Sequence, residues 1–323
     1  MQFGMFGSAQ AKRAGPDVDS GAGFREFVER NVEAEALGYH STFLVEHHFT
    51  GFGQVSATWN LLTWIGAQTS TLRLGTAVTV LPWHNPVLLA EQIATLDLLS
   101  QGRVDAGIGK GYRLKEFEGF SMSVEEADAR FEECLEVIVK AWTSDSSWSH
   151  KGKYWQYNDI VVEPSSIQRP HPKIWMGAGS PRSVKQVAQL GFNMLLGQYD
   201  PFDMIIDEVE TFKCEVESLG RTFDPLSVAV ARSVNIVDSS KEYEDAIANR
   251  MVARRRTQEH ALQSNFQDTR AAAEAGTIYG SLEHVKNEIK MLQDAGIEYV
   301  LLNCPAGIST LRRFAKDVIP SFT

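Results

Sequence analysis

Three short stretches hold residue types and spacings that can do chemistry. The first is Glu46-His47-His48, in which the mostly apolar run Thr42 to Glu46 leads directly into two adjacent histidines. That run has the length and composition of a strand. Side chains alternate along a strand, so the two imidazoles point opposite ways. One should face a site at the strand's end and the other should pack against neighbouring structure. This argues against a helical two-histidine metal clamp, which needs its ligands one turn apart. An imidazole that titrates near neutrality suits proton transfer. The second stretch is Gly177-Ala178-Gly179-Ser180-Pro181-Arg182-Ser183. Small residues let a ligand approach the backbone, and the free N–H groups at the start of a following helix suit phosphate. Ser180 and Ser183 add hydroxyls, and Lys110 can supply a cation. The third is Gly107-Ile108-Gly109-Lys110-Gly111-Tyr112, which departs from the dinucleotide pattern G-x-G-x-x-G and has no obvious helix after it. Plainer readings stand beside these: two histidines with satisfied hydrogen bonds, and a Gly-rich turn with a serine helix cap.

The elements around these stretches recur as a unit. A helix ends in Gly, and a short apolar run follows Gly38, Gly102, Gly191, Gly220 and Gly296. Helices that separate short, buried-looking strands imply βαβ units and a parallel sheet. The strand candidates are 2–7, 41–46, 72–80, 103–108, 173–177, 192–196, 226–236 and 298–303. Eight such units predict a single (β/α)8 TIM barrel domain over residues 1–323, with a doubly wound open sheet as the alternative. Residues 145–172 break the alternation and read as a small β-hairpin insertion between the fourth helix and the fifth strand. Residues 250–280 make a long connection, read as a helix followed by a mobile lid. In a parallel barrel the strand ends at one face hold the site. Polar, aromatic and Gly residues gather there: Glu46-His47-His48, Trp83-His84-Asn85, Gly109 to Tyr112, Gly177 to Ser180, Gln198-Tyr199 and Asn303-Cys304.

Composition narrows the function. The 323 residues carry a formal net charge of −10, which disfavours a nucleic-acid partner. Three widely spaced cysteines suggest neither a disulfide framework nor a CxxC metal site, so no metal is expected. No apolar stretch has the length of a membrane span and the N-terminus lacks a signal-peptide pattern, which leads us to expect a cytoplasmic protein. Helices 55–70 and 86–101 carry apolar residues around more of their circumference than a barrel helix requires, pointing to a homodimer interface there.

At this point the chain resembles the bacterial luciferase-like flavin-dependent monooxygenases. The resemblance rests on the order and spacing of Val45-Glu46-His47-His48-Phe49, Leu74 to Pro82, Leu98-Leu99-Ser100-Gln101-Gly102-Arg103, and Gly107 to Tyr112 with Glu116-Phe117. It implies a barrel that binds FMN at the C-terminal face, with His47 as the catalytic histidine. It implies a non-proline cis peptide at Ala77–Val78 behind the flavin ring and a phosphate site at Lys110 and at Gly177, Ala178, Gly179, Ser180 and Ser183. Gln198 falls where the family places a residue near the ring. The implied activity is oxygenation of a small, largely apolar substrate by O2 and reduced FMN, through a flavin C4a-peroxide. A separate flavin reductase would be the partner. Phe6, His48, Phe49, Trp83 and Tyr112 are the expected substrate-pocket walls. Departures point away from light emission: Lys110 stands for an arginine, Gly109 for a reactive cysteine, and Asn85 for a histidine, with His84 one position earlier. A deazaflavin- or flavin-dependent dehydrogenase on the same barrel, and a non-catalytic flavin-binding protein, are the competing expectations.

Overall fold

The computed structural model describes residues 1–12, 15–51, 55–259 and 269–322. Its strands are β1 (Gln2–Gly7), β2 (Ser41–Leu44), β3 (Arg73–Thr76), β4 (Thr79–Val80), β5 (Val104–Gly109), β6 (Trp148–Lys151), β7 (Gln156–Ile160), β8 (Lys173–Ala178), β9 (Asn193–Leu196), β10 (Val228–Ile236), β11 (Thr277–Gly280) and β12 (Tyr299–Asn303). The parallel sheet order, with its additional β9–β10 pairing, is that of a closed (β/α)8 barrel. The eight barrel strands are those expected, although β2 stops at Leu44 and the third strand is split into β3 and β4.

Two compact units make up the chain, each from more than one stretch of sequence. The first comprises Met1–Gly7, Glu29–Phe43 and Trp175–Thr323. In it, β8, β9, β10, β12 and β1 pair in parallel through Trp175↔Asn193, Met194↔Val228, Ala229↔Tyr299 and Tyr299↔Gln2. The strand β11 was not expected. Ser233 pairs with both Asn303 and Thr277, so β11 lies along the edge of β10 that faces away from β12. It follows the helices Ser240–Gln258 and Arg270–Ala275; residues 260–268, the centre of the expected lid, lie outside the described residues.

The second unit comprises Ser8–Val28 and Leu44–Ile174. It holds β3 and β4 beside β5, and an antiparallel hairpin of β6 and β7 between the helix Ala127–Thr143 and β8. Every residue of β5 is buried, Asp105 included, because Arg73 clamps that carboxylate through Nε and Nη2 at 2.7 and 2.9 Å. A short helix, Leu114–Gly119, starts three residues after Gly111, where none was expected.

Local chemistry sets the element ends. Gly38, Gly102, Gly191, Gly220 and Gly296, the glycines that punctuate the sequence, all have φ between 73 and 86°. That left-handed region is the one a helix needs to stop and turn back. Asn85 caps the helix Pro86–Leu99 by accepting from the N–H groups of Val87 and Leu88 at 3.1 Å. Arg103 serves the opposite end of a helix. Its guanidinium donates to the carbonyls of Gly66, Thr69 and Leu72 and to the Thr69 hydroxyl at 2.9–3.0 Å, satisfying groups that the helix Thr58–Gly66 and the turn after it leave open. Replacing Arg103 with Met should cost about 2–4 kcal/mol, because a set of charge-assisted bonds is lost together. Urea unfolding followed by circular dichroism measures it; a loss below about 0.5 kcal/mol would contradict this anchoring.

Candidate active site

The site begins where β2 ends. Glu46 is 2 % exposed, yet its carboxylate accepts four hydrogen bonds within the second unit. Oε1 takes Trp83 Nε1 at 2.9 Å, His84 Nε2 at 2.8 Å and His48 Nε2 at 2.9 Å, while Oε2 takes the backbone N–H of Val80 at 3.0 Å. An ionised carboxylate only accepts, so both histidines present a protonated Nε2 to it. Burial alone would raise the pKa of Glu46. The bonds from His48, His84 and Trp83 outweigh burial and hold it down to about 2. The network ties the turn after β2 to Val80, the last residue of β4, and to the turn that carries Trp83.

His47 turns to a second carboxylate. Its Nδ1 meets Glu116 Oε1 at 3.0 Å, and that oxygen also accepts the backbone N–H of His48 at 2.9 Å. Arg113 Nη1 stands 4.0 Å from it. The His47 and Glu116 side chains are 11 % and 2 % exposed. Burial is the largest influence on His47 and lowers its pKa. The hydrogen bond to Glu116 raises it in part, Arg113 lowers it further, and the net direction is down. The imidazole is therefore neutral near pH 7. With its proton donated from Nδ1 to Glu116, Nε2 is the basic nitrogen. The two adjacent histidines thus go to different carboxylates, although both lie beyond β2, which ends at Leu44.

The cis peptide Ala77–Val78 lies between β3 and β4. The Ala77 N–H donates to the Leu44 carbonyl at 2.8 Å, and Thr76 Oγ1 donates to the Gly107 carbonyl at 2.6 Å. Gly109 is required beside it: a Cβ there would lie 2.5 Å from Val78 Cγ2. Lys110, next in sequence, pairs at the surface with Asp128 at 2.7 Å.

Of the expected pocket walls, His48, Phe49 and Trp83 come together around Phe120. Trp83 stacks on the Phe120 ring at 5.1 Å, and His48 and Phe49 each meet that ring at 4.9 Å. Phe49 has φ of 57°, a rare conformation for a residue with a side chain, and is half exposed. Tyr112 meets the His47 ring edge-on at 6.2 Å. Phe6 belongs to the first unit, near the end of β1.

The first unit also contains the Gly177 to Ser183 turn. Ser180 caps the helix Pro181–Leu190 and forms a reciprocal box with Ser183. The Ser180 and Ser183 hydroxyls lie 2.9 Å apart, and Ser183 Oγ accepts the N–H groups of Ser180 and Gly179 at 3.1 and 3.3 Å. The turn is exposed, and Gly179 has open space around its missing side chain. Gln198 Oε1 accepts from Arg250 Nη1 at 3.2 Å and from Asn303 Nδ2 at 3.4 Å.

Sequence reasoning did not assign roles to Glu46, Glu116, His84 or Arg113. Glu46 sits beside the histidines and Glu116 follows the Gly/Tyr stretch, so both lay in the right segments. Their partners are 37 and 69 residues away, which spacing alone does not reveal. Among the described residues no group of three His, Cys, Asp or Glu could hold a metal ion, and no helix is long and apolar enough to cross a membrane.

The acid sensitivity of the network has a definite sign. A folded pKa of about 2 against an ordinary 4.5 means that Glu46 contributes stability above pH 4.5 and loses it as pH falls toward 2. The contribution is about 3 kcal/mol. Glu46→Gln should therefore flatten the loss of stability between pH 4.5 and 2 seen by urea titration. An unchanged acid limb would contradict the role of Glu46.

An oxygenase component of a flavin-dependent trigonelline monooxygenase from Acinetobacter baylyi is 25% identical over 330 residues, covering 93% of this chain and 90% of that protein. An F420-dependent glucose-6-phosphate dehydrogenase from Amycolatopsis mediterranei is also 25% identical, over 337 residues, covering 97% of this chain and 96% of that one. Among solved structures, monooxygenase RslO1 from Streptomyces bottropensis superposes with a TM-score of 0.86 at 22% identity, with both chains fully covered. The profile of luciferase-like monooxygenases matches residues 1–302, and the chain belongs to that family.

Proposed function

We propose that the protein is the oxygenase component of a two-component, FMN-dependent monooxygenase. The observation that carries this reading is the His47–Glu116 pair: a buried, neutral imidazole whose proton is fixed on Nδ1, close in sequence to the Glu46 network. The residues present fit a flavin. The Ala77–Val78 peptide, faced by a glycine at position 109, supports a flat ring site, and the exposed helix start at Ser180 and Ser183 suits a phosphate. Within the first unit Gly177, Ala178 and Gly179 leave the backbone open beside that helix start; in the second unit Lys110 is a surface cation assigned to the cofactor on family resemblance. Gln198 is assigned beside the ring.

Reduced FMN, delivered by a separate reductase, would supply the electrons and activate O2. The protein's part is proton handling and shielding. His47 Nε2 accepts or returns a proton while Glu116 stabilises the imidazolium formed in between. Trp83, Phe120, His48 and Phe49 provide an apolar wall that keeps water from a largely apolar substrate. A second reading has support of its own: the F420-dependent relative matches at the same identity over as much of the chain. On that reading the same imidazole serves hydride transfer without O2. The homodimer is part of the proposal. Trp64, Leu88, Leu98 and Leu99 are 65, 56, 42 and 69 % exposed on the helices Thr58–Gly66 and Pro86–Leu99, an apolar face that a second copy would cover.

Mixing the protein–photoreduced FMN complex with aerated buffer should give a transient absorbance, distinct from oxidised flavin, that outlives the signal of free flavin. Immediate reoxidation would move the reading to the dehydrogenase. With a substrate found by screening, His47→Ala should reduce product formation by about 10²-fold or more and leave FMN affinity within about threefold. Retained turnover would refute the role of His47. Light scattering should give twice the chain mass, and the chain mass for Trp64→Glu with Leu99→Glu. A monomeric wild type would overturn the dimer.

A further inference from the structure

Gln198 and Asn303 follow or end barrel strands β9 and β12, and both are half-buried. Arg250, on the helix Ser240–Gln258, is 4 % exposed and grips Gln198 at two points. Nη1 donates to the side-chain Oε1 at 3.2 Å and Nη2 to the backbone carbonyl at 2.7 Å. The guanidinium also lies over the Tyr199 ring, 4.5 Å from its centre. Its Nε is buried without a hydrogen-bond partner, and among the described residues no carboxylate oxygen lies within 4.0 Å of it. The neighbouring Arg232, also fully buried, feels the charges of Asp200, Glu208 and Glu288.

A guanidinium has no acceptor. Gln198 must therefore turn its oxygen to Arg250, and the Asn303 amide donates to that same oxygen at 3.4 Å. What remains for a ligand is the Gln198 NH2 group and the second N–H of Asn303, three N–H donors backed by a buried positive charge that lacks a carboxylate. A neutral acceptor would gain hydrogen bonds there. An anionic one would also gain the charge of Arg250 in a low-dielectric setting.

We propose that Gln198, Asn303 and Arg250 form a recognition site for an anionic oxygen group, and that in this protein it is a carboxylate on the substrate. Gln198 and Asn303 touch the ligand; Arg250 is a positioning residue that sets the amide and supplies the charge. The assignment rests on the proposed function only in calling the ligand the substrate, since binding is measured without turnover. The other source of the same chemistry is the cofactor's phosphate.

Calorimetric titration of the full chain at pH 8 with hexanoate, hexanamide and 1-hexanol tests it, with and without saturating FMN. Hexanoate should bind at least tenfold tighter than hexanol, with hexanamide between them. Gln198→Glu should abolish that preference and Arg250→Met should reduce it below threefold. Arg250→Lys, which keeps the charge, should restore most of it, an outcome that a merely structural role would not give. FMN should leave hexanoate affinity unchanged. Equal affinities for hexanoate and hexanol, a preference that survives Gln198→Glu, or displacement of hexanoate by FMN would each overturn the substrate carboxylate. Loss of the oxygenase reading with the hexanoate preference intact would leave the anion site standing.

Discussion

A buried carboxylate survives in a protein only if its charge is answered, and Glu46 answers it four times over. Three side-chain donors converge on Oε1 and one backbone donor on Oε2. The four bonds draw in three segments: the turn after β2, the end of β4 and the turn bearing Trp83 and His84. Removing the charge would leave several buried donors facing one another, so the segments hold their positions together or not at all. The catalytic candidate stands one residue from this anchor, and its position follows from it.

The next two residues divide between two carboxylates. His48 is committed to Glu46, and His47 turns to Glu116, which meets its Nδ1. Glu116 also takes the His48 backbone N–H, so both carboxylates bracket the same dipeptide. The arrangement separates two tasks that a single histidine cannot perform at once. One imidazole is held as structure with its Nε2 proton committed, and the other keeps Nε2 as its basic nitrogen. Burial keeps that second ring neutral. The aromatic wall built on Phe120 follows from the same anchor, since Trp83 and His48 are both bound to Glu46.

Much of this was legible in the sequence, for local reasons. Turn glycines mark where helices stop because the required backbone conformation is specific to them, and all five recurring ones adopt it. The eight barrel strands were visible as short apolar runs after those turns. His47 and His48 do take different partners, but both lie beyond the strand whose period of two suggested it. The cis peptide came from family resemblance and was found where expected. The carboxylate partners were not legible, because hydrogen bonds across 37 and 69 residues leave no local pattern. Strand β11 is four residues long and the helix Leu114–Gly119 six, too short for periodicity to register. The small residues and serines of the Gly177 to Ser183 turn suit a phosphate cradle, and the same residues equally encode the capping box that Ser180 and Ser183 form.

Proton handling by His47 depends most directly on which of its nitrogens carries the proton. Nitrogen-15 NMR of histidine-labelled protein at pH 7, with His47 assigned through His47→Gln, reads this out. The predicted result is a neutral ring with Nδ1 protonated and Nε2 bare. A ring protonated on Nε2 alone, or an imidazolium at pH 7, would contradict it.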